Sequence, residues 1–412
     1  MIETLNYRLY QFSMSLKGEL IMSTVLIHAT IYTGEQENPV IKDAYIRFDK
    51  QIEAMGPMTE LVLTSADEVV RADRKVIVPG FIDVHTHGAY GFDTMDGVTE
   101  DIVKMVHGQI SEGITAVFPT TMTQSVENIS KSMMAVDEAA QQEPAIVGVH
   151  LEGPFINPHF KGAQPEKHII APSIDLVKRW HELSGNRVRL ITYAPEQAPD
   201  VRAFEDYLAD NNIIGSVGHS NATRDFLQHN SKASHITHLY NAQRPMSHRE
   251  PGVTGHAMLE DNIRTELIVD GFHVYPDMVN VAYKLKTANR IDLITDSMRA
   301  KGLGDGESEL GGQKVWVKDK QARLADGTLA GSVLEFDDAF RNIMAFTGAS
   351  IEEAIQMASV NQAVEFGFDT KGTLRIGKDA DLNVFSADLS VLEATYSLGR
   401  HFSKVDASTA EA

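Results

Sequence analysis

The sequence predicts an α/β fold: a (β/α)8 TIM-like barrel carrying a small β-sandwich domain built from both chain ends. Three observations predict it. Eight short apolar runs alternate with helix-patterned stretches through the middle of the chain. Strand-like segments with glycine turns flank that middle on both sides. Ligand-type polar residues fall at the C-terminal ends of many different candidate strands, where a barrel gathers its active site; an open doubly wound sheet concentrates its site near one switch point.

Taken in order, residues 1–21 are interrupted by Arg8, Lys17 and Glu19 and lack a clean apolar stretch. They read as a poorly ordered extension, not a secretory signal, with Met22 as the natural start. Residues 24–33 and 44–53 alternate as short strands, and 371–385 repeats that pattern near the other end. The small domain is therefore expected over 22–78 and 366–412, and the barrel over 79–365. Candidate barrel strands are 76–84, 115–119, 145–151, 188–194, 213–217, 235–239, 267–269 and 292–294. Helical patterns occupy 98–112, 126–142, 174–184, 201–211, 225–230 and 276–288, and a final helical block covers 333–347 and 351–365. The glycine-rich run 302–307 follows no complete strand and opens no helix, so it reads as a flexible turn and not a phosphate loop.

Composition narrows the chemistry. The chain has 412 residues, 43% hydrophobic and 23% charged, enough for a sizeable buried core. Its formal charge of −20 argues against nucleic-acid or anionic-membrane partners, which need clustered Lys and Arg. A small phosphorylated substrate stays open, because one local Arg binds phosphate against the global field. The absence of cysteine excludes disulfides, thiolate metal sites and thiol nucleophiles. Any metal must be held by carboxylates and some of the 16 histidines. No apolar run approaches the ~18 residues of a membrane span, and the cytoplasm is the expected compartment.

The candidate site residues sit at strand ends. His85 and His87 close the first barrel strand in VIVPGFIDVHTHG, and an i, i+2 pair on a strand points to one side, so both imidazoles reach one metal. Glu152 follows the apolar strand of VGVHLEGPF and suits a divalent-cation ligand; His150 belongs to the core or to the ligands' support. His219 ends the fifth strand (IIGSVGHS) and His238 the sixth (HITHLYN), while His235 merely starts the sixth. With Glu152 they make two imidazoles and one carboxylate with open positions, the composition of a catalytic zinc site. Asp296 ends the eighth strand (DLITDSM), where it suits a general base; the plainer reading is a helix N-cap. Each signal alone is weak, and the set in chain order is what carries weight.

The run PGFIDVHTHG, HLEGPF, GHS, THLYNA, DGFH and TDSM resembles the amidohydrolase superfamily and, within it, the N-acetylglucosamine-6-phosphate deacetylase family, over about residues 24–385. The resemblance implies a barrel with a small β domain from both ends, and deacetylation of a phosphorylated amino sugar. It implies that Glu152, His219 and His238 hold the main metal and that His85 and His87 can hold a second: one or two divalent ions per subunit, zinc first, with iron, manganese or cobalt as alternatives. Asn241 and Ala242 match the family's sugar-phosphate loop and Arg249 its phosphate-binding arginine. His273 matches a histidine near the substrate carbonyl and is assigned with Asp296 to catalysis. Leu329, Ala330 and Gly331 match a segment lining the sugar pocket. Ala163 also corresponds, but Gln164 stands where His is common, Gln243 where Met is, and Gln362 where Pro is. A homodimer is implied, with the phosphate arginine able to come from the partner subunit. The alternatives are another amidohydrolase chemistry (a cyclic amidase or a deaminase) and a non-catalytic barrel paralogue.

Overall fold

A computed structural model describes residues 22–404; the expectations for 1–21 and for 405–412 lie outside the described residues. Eight parallel strands form the barrel wall in chain order: β1 (Phe81–Thr86), β2 (Ile114–Thr121), β3 (Val149–Glu152), β4 (Val188–Tyr193), β5 (Ile214–Val217), β6 (His235–Ile236), β7 (Arg264–Ile268) and β8 (Ile291–Ile294). Helices such as Val126–Gln142, Val201–Asp210 and Pro276–Lys286 return the chain between strands. The strands read as apolar runs because they are covered on both faces: inward residues such as Ile82, Ala116 and Ile294 are fully buried, and so are outward ones such as Phe81, Val117 and Leu293.

The seam between β1 and β8 closes at the rim. Asp296 N–H donates to the His85 carbonyl at 2.8 Å, and the N–H groups of His87 and Gly88 both donate to the Ser297 carbonyl, at 2.9 and 3.0 Å. Side chains stitch the same seam: Thr295 donates to Asp83 at 2.6 Å, and the Thr86 and Ser297 hydroxyls lie 2.9 Å apart. The backbone that carries the proposed base is thus bonded to the backbone that carries the first two histidines.

The flanking strands share one eight-stranded mixed sheet that draws on both chain ends. Its longest strand, Ser23–Tyr32, runs parallel to Asp67–Arg71 along its first half and to Val76–Pro79 along its second. The fork falls at a register shift around His28, whose φ is +64°. The chain's later strands join through Leu382–Phe385, which pairs with Val76–Pro79. Phe48, Ile46, Ile77, Leu382 and Tyr396 supply this domain's own core.

Several elements depart from the sequence reading, among them 44–53, expected as one strand, which runs across the turn between the antiparallel strands Val40–Phe48 and Ile52–Pro57. The expected strand 76–84 is two strands in different sheets, parted at Gly80, where an added Cβ would meet the Thr115 side chain at 2.1 Å. The glycine-rich run is a turn only as far as Asp305: Gly306–Leu310 is the first strand of an antiparallel three-stranded sheet with Gln313–Lys318 and Gln321–Arg323. A helix at Gly252–Leu259 had no counterpart in the pattern; it is only eight residues long and mostly buried. Among the described residues no helix is long and apolar enough to cross a membrane.

Candidate active site

Five of the ligand-type side chains expected from strand ends converge over the C-terminal rim of the barrel, with Asp296 beside them. Glu152 Oε1 lies 3.1 Å from His219 Nε2, 3.0 Å from His238 Nε2 and 3.5 Å from His85 Nε2. Its other oxygen lies 3.2 Å from His87 Nε2. Asp296 Oδ1 sits 3.2 Å from His87 Nε2 and 3.5 Å from His85 Nε2. All six residues are buried. Two three-residue sets fit a cation, Glu152 with His219 and His238, and His85 with His87 and Glu152, so Glu152 stands between them.

The hydrogen bonds behind the rings decide what faces the centre. His219 Nδ1–H donates to the Phe160 carbonyl at 2.9 Å and His85 Nδ1–H to Glu266 Oε2 at 2.8 Å. Each ring then turns an Nε2 lone pair toward carboxylate oxygens, and His219 Nε2 lies 3.1 Å from His238 Nε2. Lone pairs that close repel unless a positive charge lies between them. Tetrahedral ligands at zinc bond lengths of ~2.0–2.2 Å stand about 3.3–3.6 Å apart, a few tenths of an ångström wider than the 3.0–3.1 Å within the set of Glu152, His219 and His238. Without an ion, protons do this work. Burial disfavours the charged His85 ring, yet Glu266, Asp296 and Glu152 outweigh it and hold the pKa up at about 9. Burial likewise opposes ionisation of Glu152, and the surrounding imidazoles drive its pKa well below the usual carboxylate range. A divalent cation replaces those protons.

The local backbone is strained where the site is built. His219, His238 and Asp296 have φ of +47°, +28° and +47°, a region that non-glycine residues rarely enter. Gly218 lets the fifth strand pass close to its neighbours, since a Cβ there would meet Thr237 Cβ at 2.7 Å and Thr192 Cγ2 at 2.8 Å.

A cavity of ≈ 340 Å³ opens over the cluster. Of the residues expected at the substrate, Ala163, Gln164, Asn241, Ala242, His273, Leu329 and Gly331 line it, together with His87, Glu152, His219, His238 and Asp296. His85 lies beneath the rim, fully buried. Ala330 is fully buried and Arg249 is exposed on the loop before helix Gly252–Leu259; neither lines the cavity. Gln164 bridges: its amide donates to Glu152 Oε2 at 2.5 Å and its carbonyl accepts from Thr123 N–H at 2.7 Å. Gln243 is buried, and Gln362 donates to the Met357 carbonyl at 2.8 Å. His150, expected in the core or as support, is fully buried and bonds Thr192 Oγ1 at 2.7 Å.

Three residues were missed. Glu266 orients His85 and also accepts from the His238 backbone N–H at 3.1 Å. Asp270 takes His273 Nδ1–H at 2.6 Å, leaving Nε2 free for the cavity; the i, i+3 spacing within DGFH was the available signal. Arg323, from the small three-stranded sheet, lines the cavity, with its guanidinium donating to Gln321 Oε1 and to the Gly327 carbonyl.

The amidohydrolase family model matches residues 76–403. The chain belongs to the amidohydrolase family. It is 40% identical to the N-acetylglucosamine-6-phosphate deacetylase of Bacillus subtilis (strain 168) over 86% of this chain and 92% of that protein. It is 32% identical to the N-acetylgalactosamine-6-phosphate deacetylase of Escherichia coli O157:H7, over 78% of this chain and 87% of that one. Among solved structures, a mutant N-acetyl-D-glucosamine-6-phosphate deacetylase from Mycobacterium smegmatis in complex with N-acetyl-D-glucosamine-6-phosphate superposes with a TM-score of 0.85 at 28% identity, covering 92% of this chain and 99% of that one. Within the amidohydrolases this chain therefore stands in the N-acetylglucosamine-6-phosphate deacetylase group.

Proposed function

We propose that the chain is a metal-dependent hydrolase that removes the acetyl group of N-acetylglucosamine 6-phosphate, yielding acetate and glucosamine 6-phosphate in amino-sugar catabolism. The observation that carries this is the convergence of Glu152, His219, His238, His85 and His87 with Asp296 beneath one cavity. It is supported by 40% identity to a deacetylase across most of both chains. A divalent cation held there supplies a Lewis acid and lowers the pKa of water from 15.7 toward ~7.

The protein's own groups do the rest. Asp296 takes the proton of the attacking water and later delivers it to the sugar nitrogen, so that acetate leaves from a protonated amine. Asp270 orders His273, and a ring that carries protons on both nitrogens, paired with the Asp270 carboxylate, would donate Nε2–H to the acetyl oxygen and stabilise negative charge there. Gln164 restrains Glu152 through one carboxylate oxygen. Asn241, Ala242, Ala163, Leu329, Ala330 and Gly331 shape the sugar site. Arg249 lies outside this chain's cavity, and we assign it to the phosphate of a neighbouring subunit in a homodimer.

The imidazole and carboxylate donors favour zinc, with iron, manganese or cobalt as replacements. One or two ions per subunit fit, because Glu152 is common to both candidate sets. We divide the chain into a small domain (22–78 and 366–412) and a barrel (79–365); the small domain has a cluster of its own around Phe48 and Ile77, while Val76, Val78, Phe385 and Leu392 pack into the barrel's. We place the enzyme in the cytoplasm, with no nucleic-acid or membrane partner. A cyclic amidase or deaminase does not need the sugar-phosphate motif, and a non-catalytic paralogue would not be expected to keep every ligand.

The test is acetate release from N-acetylglucosamine and N-acetylgalactosamine, each with and without the 6-phosphate, before and after chelation. We expect the phosphorylated gluco substrate to lead and chelation to stop turnover. Preference for the galacto epimer would reassign the substrate, and no acetate from any of the four would remove the function. Asp296→Asn is expected to abolish turnover with metal content unchanged; loss of metal would make Asp296 a ligand.

A further inference from the structure

A second cluster of ligand-type side chains lies on the opposite side of Glu266 from the active site. His235 opens β6, Asp292 is the second residue of β8, and Glu365 belongs to the final helix, Asn361–Phe366. His235 and Asp292 are fully buried and the Glu365 side chain is 8% exposed. One ligand atom from each lies within 4.8 Å of the others. His235 Nδ1 is 2.9 Å from Glu365 Oε1. Among the described residues no donor group reaches either oxygen of Asp292 or Glu365 Oε2; the two carboxyl groups face each other and share a proton, which burial and the Glu365 charge hold on Asp292. Two buried carboxylates can lie side by side only with a proton or a cation between them, and a divalent ion held by the three ligand atoms would take the place of that shared proton.

The nearest permanent cation does not fill that place through a hydrogen bond. Arg264 stops 3.7 Å short of Asp292 Oδ1 and 3.9 Å short of Glu365 Oε2, and its Nη1 donates instead to the Asn289 carbonyl at 3.2 Å. Glu266 adds a third carboxylate, 3.4 Å from His235 Nε2. We propose that His235, Asp292 and Glu365 form a second divalent-cation site at the floor of the barrel, separate from the catalytic rim. An imidazole with two carboxylates suits zinc, manganese or ferrous iron rather than calcium. The ion would tie the start of β6, the start of β8 and the last helix together. Glu365, with its side chain 8% exposed, is the member of the set nearest solvent.

The experiment counts Mn²⁺ bound per chain by equilibrium dialysis of the metal-stripped full-length protein. Wild type is expected to bind one equivalent more than Glu365→Gln and one more than Asp292→Asn. A rim-disrupted variant, Glu152→Gln with His219→Gln, should keep one equivalent and lose it when Glu365→Gln is added. Mn²⁺ should also raise the melting temperature of that rim variant and no longer do so in the triple variant. If Asp292→Asn fails to fold, Glu365→Gln, altered at the accessible edge, still decides the matter. Undiminished binding in Glu365→Gln, or no Mn²⁺ bound by a folded rim variant, overturns the proposal.

Discussion

At the scale of single residues, the site depends on the groups behind the ligands as much as on the ligands. His85 faces the centre with Nε2 because Glu266 holds its Nδ1–H at 2.8 Å. The same oxygen anchors the backbone of His238 at 3.1 Å, so one buried carboxylate orients two of the proposed ligands. Glu266→Leu removes both contacts. We expect the zinc concentration that half-activates acetate release to rise by about 10–100-fold, the usual effect of losing such a partner. An unchanged activation curve would make Glu266 a spectator. Lys301 shows the other use of buried charge: its ammonium lies 2.8 Å from Glu112, and both side chains are fully buried. Removing the amine by Lys301→Met should cost about 3–5 kcal/mol in denaturant melts, since it strands a buried carboxylate.

At the scale of elements, ligand geometry follows from how tightly neighbouring strands approach. Below the rim, the Thr192 and Thr237 hydroxyls meet at 2.6 Å and those of Ser216 and Thr237 at 2.5 Å, joining β4, β5 and the segment after β6. Gly218 sits against this network without a side chain. Gly218→Ala forces β5 away from its neighbours and displaces His219; we expect about 1–3 kcal/mol of lost stability and loss of the metal held with Glu152. Retention of wild-type metal content would show that the strand end has slack. This packing also explains what was legible in the sequence. The rim residues could be found because ligand types recur at the ends of apolar runs, and an i, i+2 or strand-end position fixes a side. Glu266, His235 and Asp292 could not be assigned the same way, because their partners lie tens to hundreds of positions away and periodicity is blind to pairing. The split of 76–84 was hidden for a related reason: both halves are apolar, and only contact with Thr115 makes Gly80 a boundary. The strands Gly306–Leu310 and Gln313–Lys318 escaped because charged residues fill their exposed positions and shorten the apparent pattern.

At the scale of the whole molecule, acid sensitivity has an identifiable contributor away from the site. His256 in helix Gly252–Leu259 accepts from Arg224 Nη1 at 2.9 Å, which requires an unprotonated Nδ1. Burial, and then the Arg224 charge, depress its pKa to about 4. The unfolded chain takes up this proton near 6.5, so His256 stabilises the fold fully above that pH and progressively less as pH falls toward 4. The total is at most about 3 kcal/mol. Urea melts at pH 7.5 and 4.5 should show a smaller acid loss in His256→Gln, whose amide oxygen still accepts from Arg224; identical losses would clear His256. The seam has a consequence for how activity arises during synthesis. Thr86 and Ser297 are 211 positions apart in the chain, yet the bonds around them set Asp296 beside His85 and His87. A ribosome-bound fragment ending before the eighth strand holds every histidine of the centre but neither Asp296, the proposed base, nor the closing edge. If Asp296 is the base, as proposed, hydrolysis would switch on only at a late, discrete step of chain growth.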